Sequence, residues 1–510
     1  MRYGFVIDHN RCIGCHACTV ACKEENQVPL GVYRTWVKYI EKGAFPHTRR
    51  YFSVLRCNHC DDAPCVTICP TVALYRRPDG IVDFDGERCI GCKSCMQACP
   101  YDALYIDPAT QTAAKCHYCA HRVEVGLEPA CVIVCPEQAI IAGDLDDPGS
   151  RIARLVATEQ VQVRKPEQGT RPKVFYVGAD GAALTPQALE RGESYLFAET
   201  GLGSAAAERP APPDRSVLQD LQVLARTVYD VPHLERPWGW KIASYLWTKS
   251  VAAGALMVAG IGMLFGQAPG GLLSGIMAPG LTLAFLALTM ALLVFDLKRP
   301  DRFHYILLKP NWRSWLVLGA WILMAYGVVA ALWLAGGLAG NPTLPRWLAA
   351  PGVLLGAGAA GYSAFLFGQA EGRDFWQSPM LLWDLLVGAL IAGAASLMLA
   401  GLALGYQAAG LDDLAVGLFL SLAAKTTLVL FEHLGSHGNQ DVQCAARLLT
   451  RGALAGRFWS GAVIGGLLVP VLFLFYGGAL GAAVAAVLSL AGQWLYEDLW
   501  VRAGQSVPLS

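Results

Sequence analysis

Two regimes of hydrophobic patterning divide the chain. Up to about residue 240 the apolar positions come in short runs, such as FVID at 5–8, GIVDFD at 80–85, ALYIDP at 103–108 and KVFYV at 173–177. These predict small strands and turns. Beyond Trp238 the runs lengthen to about the 20 residues that a helix needs to cross a bilayer. Eight are predicted, at 244–266, 276–296, 314–337, 347–369, 381–405, 411–433, 458–477 and 479–500. Their Gly and Ala content allows close helix packing, and they lack the polar face that buried helices of a soluble protein would show. An even number of spans returns the C-terminus to the side on which the first span began. Trp238, Trp240, Trp312, Trp315, Trp376, Trp459 and Trp500 fall near span ends, as an aromatic belt requires.

Composition sharpens the division. Of 510 residues, the first 244 hold 16 of the 17 cysteines and 56 of the 80 charged residues, and the remaining 266 hold one cysteine and 24 charges. The formal net charge of zero excludes a nucleic-acid binder that relies on phosphate neutralisation. We expect a cysteine-rich domain over 1–205, a linker over 206–240 that includes the Ala- and Pro-rich AAAERPAPPDRS, and a membrane domain over 241–510. On the side shared with the N-terminus lie Arg236, Lys241, Lys298, Arg299, Arg302, Lys309, Arg313, Arg373, Arg447, Arg451, Arg457 and Arg502, against Arg346 alone on the other. That asymmetry predicts a multi-pass protein of the inner (cytoplasmic) membrane with the cysteine domain on the cytoplasmic side. Docking of a partner or of quinone headgroups is the rival explanation of the bias. The start MRYGFVIDHNRC shows no secretory pattern, which also points to a reducing compartment and against disulfides.

The cysteines fall into four groups. Cys12, Cys15, Cys18 and Cys22, like Cys89, Cys92, Cys95 and Cys99, follow C-x2-C-x2-C-x3-C, the run in which three thiolates hold one cubane cluster and the fourth serves a second. Cys57, Cys60, Cys65 and Cys69, and Cys116, Cys119, Cys131 and Cys135, keep the opening C-x2-C and the closing C-x3-C. Gly14 and Gly91 permit the tight turns. Sixteen thiolates make four 4Fe-4S clusters with none left over, whereas zinc knuckles have no place for the third close cysteine. Spacing alone leaves adjacent and nested pairing of the groups open. Lys115 either raises a cluster potential by its charge or is an ordinary solvated lysine. His16, His59 and His117 read as packing or surface residues, and Cys444 as a thiol in a polar loop.

These groups, with KCHYCAHRVEVGLEPACVIVCP at 115–136, resemble the four-cluster ferredoxin-like subunits of the molybdenum bis-pterin oxidoreductases, such as the dimethyl sulfoxide, polysulfide, thiosulfate and tetrathionate reductases. The resemblance spans about residues 1–200. It implies that the first group pairs with the fourth and the second with the third. Cys12, Cys15, Cys18 and Cys135 would then hold one cluster, and Cys22, Cys116, Cys119 and Cys131 its partner. Cys57, Cys60, Cys65 and Cys99 would hold the third, and Cys69, Cys89, Cys92 and Cys95 the fourth.

In the second half, Lys249, Asp296, Asp384, Lys425, Glu432 and His433 are ionisable residues in or beside apolar spans and are functional candidates by that fact. No His pair stands at haem-ligand spacing, so no haem is expected. DLKRPDRFHYILLKPNWRSWL at 296–316, GYSAFLFGQAEGRDFWQSP at 361–379, FEHLGSHGN at 431–439 and WVRAGQSVPL at 500–509 resemble the NrfD-type membrane subunits. That resemblance implies eight helices without haem and a quinone pocket on the iron–sulfur side. From depth and chemistry, the pocket or its proton supply falls to Lys249, Asp296, His304, Tyr362, Gln369, Glu432 and His433; Tyr362 alone has a family counterpart. The expected architecture is an α+β ferredoxin-like iron–sulfur domain followed by an all-α integral membrane bundle of eight transmembrane helices. The expected function is that of a non-catalytic redox subunit in which quinone (menaquinone or ubiquinone) is oxidised or reduced, and electrons pass through four clusters to or from a separate molybdenum or tungsten bis-pterin catalytic subunit. An equivalent subunit of a nickel–iron hydrogenase and an anchored ferredoxin without quinone chemistry are the alternatives.

Overall fold

The structure, a computed structural model, describes residues 1–191, 225–231, 237–266, 271–405, 411–435, 438–476 and 478–510. In the first half two four-stranded sheets frame the cysteine loops. One has the order Ile140–Asp144, Tyr3–Asp8, Val174–Val177, Val161–Gln162, with its central pair parallel and both outer pairs antiparallel. FVID and KVFYV, predicted as strands, form that central pair and bury Phe5, Ile7, Val174 and Tyr176 beside Cys18 and Cys131. The other sheet is built on the hairpin of Thr35–Ala44 and His47–Arg56. Ala225–Tyr229 adds to its edge against Thr35–Ala44, so part of the expected linker is a strand of the ferredoxin-like domain. The AAAERPAPPDRS stretch lies outside the described residues.

Two small ladders, Leu74–Arg76 with Val82–Phe84 and Leu104–Ile106 with Ala113–Lys115, return the chain between cysteine groups. At Gly14 and Gly91 the backbone turns through φ of +68° and +67°, a conformation in which a Cβ is disfavoured. His16 and Lys93 then open the short helices Ala17–Glu25 and Ser94–Ala98 from the same left-handed region. These turns aim successive thiols inward.

Among the described residues eight helices are long and apolar enough to cross a membrane: Trp240–Leu264, Leu272–Asp296, Trp315–Leu338, Thr343–Gly368, Leu381–Ala403, Asp412–Leu434, Arg457–Phe475 and Gly478–Ser506. The last extends six residues beyond its expected end at Trp500, because WVRAGQS continues as helix to reach the cysteine domain. One buried core runs without a break from Cys57, Cys69, Cys95 and Cys99 through Trp238, Phe367, Trp376 and Trp500 into the membrane helices. Cys444, expected in a loop, lies in the helix Gln440–Thr450, which starts where the Asn439 side chain accepts from the Asp441 amide.

Candidate functional site: cysteine quartets seated on a polar membrane core

The fold brings the sixteen thiols together as quartets. Cys12, Cys15, Cys18 and Cys135 line one cavity of about 360 Å³, and Cys69, Cys89, Cys92 and Cys95 line another of about 380 Å³. Cys22 lies in the field of Cys131 and Cys119, and Cys116 in that of Cys22 and Cys131. Cys60 and Cys65 both face Cys57 and Cys99. Contacts between quartets set their order: Cys18 faces Cys131, Cys116 faces Cys57, and Cys95 faces Cys65.

The chemistry of the quartets fits iron–sulfur clusters. Burial pushes the Cys18, Cys22 and Cys99 thiols up to about 12, so their thiolates need a cationic guest, and a coordinated thiol is deprotonated outright. Backbone N–H groups already point at sulfur: Gly91 and Ala113 donate to Cys89 Sγ at 3.4 and 3.3 Å, and Ala139 to Cys135 Sγ at 3.2 Å. Such bonds tune cluster potentials.

The histidines pack, as expected. His59 is fully buried, accepts from the Val82 amide at 3.2 Å on Nδ1 and meets the Tyr118 ring edge-on at 5.5 Å. His16 packs on Tyr39 and Tyr229. Lys115 is no solvated lysine: it is 0 % exposed, donating to the carbonyls of Val82 and Cys116.

The quartet of Cys69, Cys89, Cys92 and Cys95 sits on the membrane domain. Trp238 Nε1 donates to the Cys92 carbonyl at 3.2 Å, Asn311 Nδ2 to the Cys69 carbonyl at 2.8 Å, and Arg302 Nη1 to the Gly86 carbonyl at 2.7 Å. Lys93 pairs with Asp296 at 2.8 Å. Asp296 therefore joins the two halves, and Gln369 does so within the membrane domain, accepting from the Trp315 amide at 2.9 Å and donating to the Arg313 carbonyl at 2.6 Å. His304 is exposed beside Phe303 and Tyr305. These three of the seven expected residues stand apart from the buried polar core.

The other four enter it. On the first and fourth helices, Lys249 Nζ donates to the Ala360 carbonyl at 2.8 Å and to Ser363 Oγ at 2.7 Å, and lies 4.8 Å above the Tyr362 ring; Tyr245 Oη meets Ser363 Oγ at 3.2 Å. On the fifth, sixth and eighth helices, Lys425 Nζ pairs with Asp384 at 2.6 Å and lies 4.4 Å above the Tyr496 ring, whose hydroxyl meets His433 Nε2 at 3.2 Å. Glu432 is buried within reach of Asp384 and Lys425. Glu497 bridges the two groups, in the field of both Lys249 and Lys425 and bonded to Gln493 at 3.1 Å. Sequence reasoning missed Tyr245, Ser363, Tyr496, Gln493 and Glu497. For Glu497 a signal existed, a carboxylate inside the predicted span 479–500; neutral hydroxyls in apolar helices give none.

Comparison with known proteins matches each half to a relative of its own. Residues 9–28 match a 4Fe-4S binding domain, 48–145 a 4Fe-4S dicluster domain, and 231–496 the family described as polysulphide reductase, NrfD. A tetrathionate reductase subunit from Salmonella typhimurium is 49 % identical over 189 residues, covering 36 % of this chain and 76 % of that protein. A polysulfide reductase component from Wolinella succinogenes is 44 % identical over 181 residues, 34 % of this chain and 94 % of its own length. The arsenate respiratory reductase iron–sulfur subunit of a Shewanella species is 36 % identical over 231 residues, 36 % of this chain and 98 % of its own length.

Proposed function

The chain belongs to the polysulphide reductase NrfD family and carries 4Fe-4S segments on the same polypeptide, and from this we propose that it is the electron-transfer and quinone-reactive subunit of a membrane-bound reductase complex. The observation that carries the reading is the seating of the Cys69–Cys89–Cys92–Cys95 quartet on Trp238, directly above the first membrane helix. Down that helix, Lys249 lies about 14 Å from Trp240 at 1.5 Å per residue, so the buried cation and Tyr245 lie in the half of the helix nearer the quartet.

Each quartet would hold one 4Fe-4S cluster in the nested pairing, and the clusters supply one-electron storage and relay when bound. At the membrane end, Lys249 has one of its three donors left for a quinone carbonyl after Ala360 and Ser363. Tyr362 and Tyr245 bring phenol groups to the same spot. Quinol oxidation releases two protons with its two electrons, and the Glu497, Gln493, Asp384, Lys425, Glu432 and His433 group provides carriers to take them. At the other end Cys15 is exposed, beside Ile13 at 55 % exposure. This apolar edge next to the first quartet suits the docking of a separate catalytic subunit. The relatives are subunits of tetrathionate, polysulfide and arsenate reductases, so that partner is expected to hold a molybdenum or tungsten bis-pterin cofactor. The cysteine domain would face the cytoplasm.

The test is cluster reduction by a short-chain quinol in the purified full chain, followed by visible bleaching. Lys249→Met and Tyr362→Phe should slow it at least tenfold while iron per chain and dithionite bleaching stay unchanged. Unaltered rates in both variants would leave an anchored ferredoxin without quinone chemistry.

A further inference from the structure

The four-quartet chain has three gaps between neighbouring quartets, and the first two each hold a buried cation that is in no ion pair among the described residues. Arg56, 1 % exposed, stands between the first two: Nη1 donates to Cys131 Sγ at 3.2 Å, the guanidinium lies in the field of Cys18 and Cys116, and it stacks 4.6 Å from the Phe5 ring. Its Nε and Nη2 are buried without a hydrogen-bond partner. Lys115, 0 % exposed, stands at the second gap, bonded to the Cys116 carbonyl and in the field of Cys65.

Every hydrogen-bond partner of these two cations is a thiol or a carbonyl, and among the described residues neither is in an ion pair. Lys38, Lys93 and Lys173, likewise buried, are each paired, with Asp230, Asp296 and Asp61. A buried cation without a counter-ion is costly, and anionic thiolate-ligated clusters on either side are the charge that would stabilise it.

We propose that Arg56 and Lys115 are counter-charges of the electron path, each raising the reduction potentials of the two clusters it lies between. An electron arriving from the neighbouring cluster, which loses it, adds one negative charge beside a fixed positive one. No proton has to follow. Two unit charges about 8 Å apart at an effective dielectric near 20 interact by more than the equivalent of a tenfold change in an equilibrium constant. The inference rests on the four-cluster reading.

The test is an EPR-monitored redox titration of the anaerobically purified full chain, with iron counted per chain. Arg56→Gln and Lys115→Gln should retain the parent's iron. In each, the flanking clusters should become at least tenfold harder to reduce, a fall of about 59 mV for a one-electron couple, with the distant clusters unmoved. Unchanged potentials with full iron overturn the proposal. If a glutamine prevents assembly, Arg56→Lys or Lys115→Arg at that site should keep the flanking potentials within a twofold change in equilibrium; a larger shift with full iron overturns it equally. Far fewer than about sixteen irons in the parent chain would instead sink the four-cluster reading.

Discussion

At the scale of single residues, the buried polar groups carry the sharpest consequences. Lys425 and Asp384 are 3 % and 4 % exposed and pair at 2.6 Å among membrane helices. Removing one partner strands the other charge, so Lys425→Met should destabilise by about 3–5 kcal/mol. Lys425→Met with Asp384→Leu should recover most of that, as thermal unfolding in detergent would show. An intact stability in the single variant would mean that the pair does not exist. In the cysteine domain, both ring nitrogens of His9 are buried without partners, and burial pushes its pKa down from 6.5 to about 4. Between those values the unfolded chain binds the proton and the folded one does not. Its contribution is complete above pH 6.5 and is lost as pH falls towards 4, by at most about 3 kcal/mol. His9→Gln should flatten the acid limb of a stability–pH profile; an unchanged limb would put the acid sensitivity elsewhere. The cysteines were legible in the sequence because thiol spacing is a local property. Lys115 was not, because its burial depends on a strand of the small ladder that closes over it, and nothing adjacent in sequence reveals that.

Elements follow the same division between local and non-local information. Every predicted span is found, since apolar length is written along the chain, and ends differ by a few residues where a helix runs on to make contacts outside the membrane. Which helices touch is not written there. The first and fifth helices cross where a Cβ at Gly254 would strike the Ala389 carbonyl and one at Gly393 would strike Gly254 itself. Close approach of this kind is what small residues allow in a membrane bundle. Gly254→Val should therefore lower stability by about 1–3 kcal/mol or more, as overpacking does, and disturb Lys249 five residues away. Gly417→Val, with open space around it, should be close to neutral. Equal melting temperatures for the two variants in detergent would show that the crossing is not as tight as described. Asp296 and Gln369 illustrate the same limit in reverse. Their depth suggested a pocket, but the partners that define their roles, Lys93 and Trp315, belong to other elements.

For the whole molecule, the question is which side of the bilayer carries the cysteine domain, and the structure changes how the loop charges weigh in it. Twelve cations on one side against Arg346 on the other is a strong asymmetry. Yet Arg299, Arg302 and Arg373 use their guanidinium groups on the carbonyls or amide of Thr110, Gly86, Cys89 and Gln97. Those three would be retained for docking whatever the topology. Nine against one remain, which still predicts a cytoplasmic domain, because a cation has to be kept out of the translocated loops while docking needs it only at fixed positions. Lys309 and Arg346 are both exposed, on opposite sides of the bundle. In intact cells an impermeant maleimide should label Arg346→Cys above the parent background and leave Lys309→Cys unlabelled until the membrane is opened. The reverse pattern would place the iron–sulfur domain outside the cytoplasmic membrane, and the catalytic partner proposed to dock near Cys15 would have to be an exported one.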